Sequence, residues 1–339
     1  MARVASLLLP LLLSAGAAAA LSPLCVPPAP GQDDTYIDCE VEVEGPKGIA
    51  YQPAALLDDG ELVVLEYNID RNGGGGDGSN EGGLEPIIDL LKSDALPDFD
   101  VLILSEVSRG CDGYGGGDVS GAAAIAAAFP GYWSAYAVEF VEYDAESTTT
   151  GECSIGNAIV SKFPFASVDS LTFSSQCCRY GGRWGGRSAV KADLVVGSDG
   201  SSPVRIVSTH LESGQSDVRS VINGTIVRER QAAELAQHFP SSSTKFMLIG
   251  GDMNSPLRSI DPTRLSFQWS GFHDSHDSIP WRQRNTCPDA AIAQYAKALT
   301  LDFLYIDDED RISEVGICND EEVCNGHSDH VPIFGKYRM

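Results

Sequence analysis

FMLIGGDMN, residues Phe246 to Asn254, carries the pattern from which the rest of the chain can be read. Phe246–Ile249 is an unbroken apolar run, two glycines follow it, and Asp252 and Asn254 come next. A short continuous apolar run is what a strand shows when both faces of its sheet are covered. Polar residues just past such a run sit where α/β sheets gather their ligands. The same signature recurs along the chain. LVVLEYN ends in Asn68, DVLILSE in Glu106 and VRIVSTH in His210. Asp302 lies in LTLDFLYI, and His327-Ser328-Asp329-His330 stands directly before VPIFG.

Working outward from these endings, strands are expected at Leu62–Tyr67, Val101–Leu104, Ile155–Val160, Ala189–Val196, Val204–Ser208, Phe246–Ile249, Leu301–Ile306 and Val331–Phe334. Helices are expected at Leu84–Ala95, Val119–Ala128 and Thr225–His238. No linker and no internal repeat interrupts the alternation, so residues 61–339 are read as one α/β domain. Residues 21–60, with their proline-rich and acidic pieces, are read as an irregular N-terminal extension. Gly73–Gly83 follows a strand and precedes a helix, as a phosphate-binding loop would, but no G-K-[ST] follows; it reads as a surface loop.

Residues 1–20 have the order of a secretory signal: Arg3, then the apolar Leu7–Leu13, then Ala17–Ala20 before Leu21. Cleavage after Ala20 and a secreted protein are the expectation, and no later run approaches the ~20 apolar residues of a spanning helix. In an oxidising compartment the nine cysteines are expected to give several disulfides and one odd thiol. Cys318 with Cys324, and Cys25 with Cys39, are candidate pairs; paired C-x-x-C spacing for a structural zinc is missing. Asn223-Gly224-Thr225 is a glycosylation sequon.

The chain holds 23 basic and 48 acidic residues, a net charge of −25. Without residues 1–20, which hold Arg3 and no acid, the balance is 22 − 48 = −26. Such a field opposes tight nonspecific binding to nucleic acid, which depends on many Lys and Arg contacts to phosphate. It leaves room for a nucleic-acid substrate met briefly in a metal-loaded cleft.

Taken singly, each strand-end residue reads as a turn or structural residue. Together they make the mixture that phosphoester hydrolysis requires. Water attack on an anionic phosphodiester needs charge neutralisation, which Mg²⁺ or Mn²⁺ supplies through oxygen ligands. Glu106 is the best candidate ligand, with Asn68 and Asp329 as further members. Asp252 or His330 can serve the nucleophilic water as base or orienting acceptor. Asp302 can fix the tautomer of His330 and favour its charged form. Asn254 can donate to developing negative charge.

The order N…E…GNAIVSKFP…THLES…GGDMNSP…LDFLYI…SDHVPI resembles the endonuclease/exonuclease/phosphatase superfamily over Glu61 to Gly335. Glu106-Val107-Ser108-Arg109-Gly110-Cys111 and Ala137-Val138-Glu139-Phe140 are finer likenesses. The resemblance implies a four-layer α/β sandwich of two mixed sheets flanked by helices. It implies a metal-binding Glu106 with Asn68 from the first strand and Asp329. It further implies a water- and phosphate-handling Asp252 and Asn254, a phosphate-contacting His210, and an Asp302–His330 pair. Tyr67 stands where a tryptophan is common in the family.

Cys177–Arg187 places three arginines and two aromatics among glycines in an otherwise acidic protein. It reads either as a clamp for substrate phosphate and rings, with Arg187 and Arg183 as binding residues, or as a disulfide-tethered loop whose arginines pair with local acids. The expected function is a secreted metal-dependent phosphoesterase acting on a phosphodiester of lipid, small-molecule or nucleic-acid origin. A secreted nuclease is the alternative, and an inactive binding or toxin-like module is the alternative of another class. No apolar hairpin for membrane docking stands out. The oligomeric state is open.

Overall fold

A computed structural model describes residues 25–26, 38–46, 57, 60–73, 83–111, 119–142, 153–176, 183–196, 202–213, 218–241, 246–256, 260–288, 299–318, 321–324 and 327–339. The signal segment, most of the glycine loop and Cys177–Gly182 lie outside these residues.

The chain opens with the short pair β1 (Cys25–Val26) and β2 (Asp38–Cys39), joined by the Cys25–Cys39 disulfide. One sheet contains β3 (Glu42–Glu44), β4 (Glu61–Asn68), β5 (Val101–Arg109), β6 (Trp133–Glu142), β7 (Cys153–Ser161), β9 (Arg183–Gly185), β15 (Ile312–Ile317) and β16 (Ile333–Arg338). Its order is β15-β16-β4-β5-β7-β6-β3, with β9 also on β6. The second contains β8 (Phe165–Thr172), β10 (Ser188–Val196), β11 (Ser202–Thr209), β12 (Phe246–Asp252), β13 (His273–Asp274) and β14 (Asp302–Ile306), in the order β13-β14-β12-β11-β10-β8. Helices α1 (Leu84–Leu91) and α2 (Gly121–Ala128) accompany the first sheet. Helices α3 (Val218–His238) and α4 (Pro262–Trp269) cover the second, and α5 (Glu321–Cys324) is a single turn. The two mixed sheets with flanking helices are the sandwich that the resemblance implies. Among the described residues no helix is long and apolar enough to cross a membrane.

Strand parity explains both the sandwich and the site. In β12, Phe246 and Leu248 belong to the cluster between the sheets, while Met247 and Ile249 pack under α3 and α4 with Leu235, Phe239 and Phe267. Both faces are buried, hence the unbroken apolar run. Continuing the parity puts Gly250 and Asp252 on the inner face. At Gly250 a Cβ would come within 2.7 Å of Ile103 Cδ1 on the opposite sheet, so the sheets touch closely here. Ser208 Oγ donates across the gap to Leu104 O at 3.0 Å. Only β4·β5 and β11·β12 pair in parallel among the described ladders. Their C-terminal ends therefore share an edge with the starts of their antiparallel neighbours β14 and β16.

Three expectations change. Glu42–Glu44, assigned to an irregular extension, adds an edge strand to the first sheet, and Glu42 holds Arg109 at 2.8 Å and the Ser120 N–H at 3.1 Å. Asp302 and His330 stand at strand starts, not C-terminal ends; antiparallel pairing brings them to the same edge. Helix α3 begins before Thr225, so Asn223 lies within it and is exposed. Cys318–Cys324 and Cys111–Cys153 are disulfides, and Cys287 is the free cysteine among the described residues.

Candidate active site

Inner-face parity delivers most of the site. Asn68 follows Leu62, Val64 and Glu66 on β4; His210 follows Val204, Ile206 and Ser208; Asp302 precedes Leu304 and Ile306. Glu106 breaks this rule. Ser105 is inward, bonding Thr209 O at 3.4 Å, so an unbroken strand would turn Glu106 outward. A bulge between Leu104 and Val107, with Glu106 at φ +56°, swings the carboxylate back to the edge. Asn254 also adopts a left-handed conformation, φ +48°, just past β12. Backbone strain of this kind costs on the order of 1 kcal/mol or more and collects at working sites.

The side chains form one connected network. His330 Nδ1 bonds Asp302 Oδ2 at 2.7 Å, and its Nε2 lies 3.7 Å from Asp252 Oδ2. Its backbone is pinned through Ser328, whose hydroxyl accepts from His330 N at 3.1 Å and donates to Asn68 O at 2.7 Å. Asn68 Nδ2 donates to Asp252 Oδ2 at 3.1 Å and Glu106 Oε1 at 3.3 Å, while its Oδ1 accepts from Asp70 N at 3.1 Å. Asn68 thus offers the site N–H rather than the oxygen expected of a ligand, and clamps Glu106 to Asp252. Asp252 Oδ1 accepts the Asn254 N–H at 2.8 Å.

His210 is held from the other side. Arg187 Nη1 lies 2.7 Å from His210 Nδ1, and a guanidinium can only donate. On the other side, His210 Nε2 lies 3.0 Å from Asn254 Nδ2 and 3.4 Å from Asp252 Oδ2. Burial, with the Arg187 and His330 charges, holds His210 well below the usual histidine range, so it is neutral. Arg187 also pairs with Glu139 at 3.2 Å and lies over the Phe140 ring. Read as a substrate clamp or as a loop residue paired with local acids, Arg187 is 7% exposed and contacts Glu139, Phe140 and His210. Arg183 sits nearer the rim, paired with Glu142, which Arg71 also reaches at 3.0 Å.

Electrostatically the site is crowded with carboxylates. Burial pushes Asp252 up to about 7, with Asp302 and Glu106 adding and His330 opposing. His330 moves well above its ordinary value: burial works against its charge, but the Asp302 carboxylate and hydrogen bond outweigh it. Three members went unassigned in the sequence. Asp70 is pushed up to about 6 by burial and by Glu106 and Asp329, and its buried Oδ2 has no hydrogen-bond partner. Glu139 is pushed up to about 7, mainly by burial, while accepting from Asn157 Nδ2 at 3.0 Å. Glu66 is fully buried, and burial raises it far above the carboxylate range, so it is neutral. The A-V-E-F likeness pointed to Glu139. Asp70 lies two residues past Asn68 and Glu66 two before it, each legible only once the fold is known.

Asp70, whose buried Oδ2 is unbonded, feels the Glu106 and Asp329 charges, and Glu106 brings a donor atom within 4.8 Å of His210 and Asp252; a divalent cation relieves crowding of this kind. These residues fit a divalent cation.

Comparison with known proteins agrees with this geometry. The family model "Endonuclease/Exonuclease/phosphatase family" matches residues 65–292. No curated protein matches the chain. Among solved structures, an endonuclease/exonuclease/phosphatase from Beutenbergia cavernae superposes with a TM-score of 0.61 at 18% identity, over 82% of this chain and 72% of that one. Sphingomyelinase C from Streptomyces griseocarneus gives 0.54 at 16%, over 82% and 99%. An AP endonuclease from Archaeoglobus fulgidus gives 0.53 at 16%, over 82% and 100%. At such identities the structures speak for the fold, while the family match spans two thirds of the sequence: the chain belongs to the endonuclease/exonuclease/phosphatase family.

Proposed function

We propose that this protein is a secreted, divalent-metal-dependent phosphodiesterase acting on a lipid or small-molecule phosphodiester. One observation carries the reading: Asp252 stands between the Asp302-bound His330 and neutral His210, with the Asn254 amide beside it. That is an acceptor among donors, the arrangement water attack on an anionic ester requires. Glu106, Asp70 and Asp329 would hold the cation, which supplies charge neutralisation on the phosphoryl oxygens. His330, charged through Asp302, directs Nε2–H at the reacting phosphate. That leaves Asp252 to take the proton of the attacking water. His210 and Asn254 would contact phosphoryl oxygen.

The small-ester reading is supported by the net charge of −25 and by arginines already engaged with Glu139 and Glu142. The complete set of acid, histidine and amide side chains argues against an inactive module. The deciding experiment follows hydrolysis of bis(p-nitrophenyl) phosphate and plasmid DNA with Mg²⁺, Mn²⁺ or EDTA, the Asp252→Ala variant alongside. Metal-dependent cleavage of the small diester alone, lost in the variant, is expected. Efficient cleavage of both would favour a nuclease, and silence on both would sink the phosphodiesterase reading.

A further inference from the structure

Cys287 is buried and belongs to no disulfide. One donor atom each from Cys287, His330 and Asp329 lie within 4.8 Å of one another. His330 Nε2 and Asp329 Oδ1 are 3.8 Å apart. Imidazole nitrogen and carboxylate oxygen at about 2.0–2.1 Å from a tetrahedral ion stand about 3.3–3.4 Å apart, so Asp329 needs a side-chain adjustment of a few tenths of an ångström toward His330. Its side chain is 36% exposed and free to make one. The other nitrogen of His330 is already bound to Asp302 at 2.7 Å. A carboxylate on the far nitrogen is the support that orients an imidazole toward a metal and raises its basicity.

Thiolate, imidazole and carboxylate together suit zinc and its neighbours, whereas Mg²⁺ takes oxygen and avoids sulfur. We propose that Cys287, His330 and Asp329 form a second site, overlapping the first, for a thiophilic divalent cation such as Zn²⁺, and that its occupation switches hydrolysis off. Binding releases the thiol proton and the Nε2 proton to solvent, and the metal takes the two lone pairs. His330 then has no Nε2–H to offer, and Asp329 is drawn from the oxygen-lined cluster. The inhibition rests on the hydrolase reading; the binding does not.

The test is an absorption titration of the metal-free full-length protein with Co²⁺, which reports a thiolate ligand by a charge-transfer band in the near ultraviolet. Wild type is expected to develop the band to one thiolate-bound Co²⁺ per chain and to lose it on adding Zn²⁺. Cys287→Ser is expected to show none. With saturating Mg²⁺, Zn²⁺ should inhibit wild type, and Cys287→Ser should need at least the ~10–100-fold more metal typical of losing even an outer-sphere partner. No band in wild type, or an equal band in Cys287→Ser, overturns the site. If Cys287→Ser fails to fold, Asp329→Asn replaces it: its Co²⁺ affinity should fall about tenfold or more, and unchanged affinity overturns the proposal. The spectrum decides the site even if no phosphodiester is hydrolysed.

Discussion

Asp302 acts through one contact, 2.7 Å to His330 Nδ1, and that contact makes it the most informative residue to change. In Asp302→Asn the amide fills the same space but no longer stabilises imidazolium, so His330 loses its raised affinity for a proton. We expect kcat to fall about 10²–10⁴-fold with little change in KM, by analogy with other carboxylate–histidine pairs. Unchanged kcat would remove the pair from the reaction. Glu106 separates metal from proton chemistry. Glu106→Gln keeps the hydrogen bond from Asn68 within reach but removes the charge. Its activity should be depressed far more at limiting than at saturating Mg²⁺, and an unaltered metal dependence would end its ligand role. The melting temperature of Glu106→Gln should stay near wild type, since that side chain is 28% exposed.

The elements set these side chains down through two backbone devices. Gly251, at φ +141°, lies between Gly250 and Asp252, and a Cβ there would overlap the Thr209 carbonyl oxygen. Gly251→Ala must push β12 from β11, displacing Asp252 from His210; a loss of about 2–4 kcal/mol in chemical denaturation together with most of the activity is expected. Wild-type stability would show that the strand ends give way freely. A second support lies beneath β14, where Arg264 and Arg284 reach the fully buried Asp274 at 2.9 and 2.8 Å. Asp274→Ala would leave two buried guanidiniums short of a partner, costing about 3–5 kcal/mol by the same measurement. The sequence was most legible where burial is two-sided: β4, β5, β7, β10, β11, β12 and β14 all announced themselves as apolar runs. β6, with Ser134, Glu139 and Glu142 among its apolar residues, did not, nor did the edge strands β3 and β15 or helix α4. At the site, every expected catalytic residue reaches one network, because strand ends were readable. For Arg187 the sequence left clamp and acid-paired loop open, because nothing local reveals that Glu139, 48 positions away, waits to pair with it.

At the scale of the molecule, charge is the property that chooses among substrates. A net charge of −25 surrounds a site that, under the proposed function, would accept an anion. At ~0.01 M salt that field extends about 30 Å, and at ~0.1 M about 10 Å, so added salt removes repulsion before substrate meets the cleft. A protein that binds DNA through basic contacts shows the opposite trend, losing affinity roughly as the 0.9Z power of salt concentration for Z neutralised phosphates. For this chain, kcat/KM on plasmid DNA should rise about two- to tenfold between ~10 and ~100 mM NaCl at fixed Mg²⁺. For bis(p-nitrophenyl) phosphate, a single charge, it should change less than about twofold over the same range. Steady-state rates on both substrates in one salt series provide the comparison. A steep fall on DNA would mean that a cationic track guides the polymer despite the overall charge, and the nuclease reading would then displace the small-ester one. A rise on DNA alone would show a long-range barrier to polyanions that a small diester passes, which is the selectivity an acidic hydrolase of this fold needs to ignore nucleic acid.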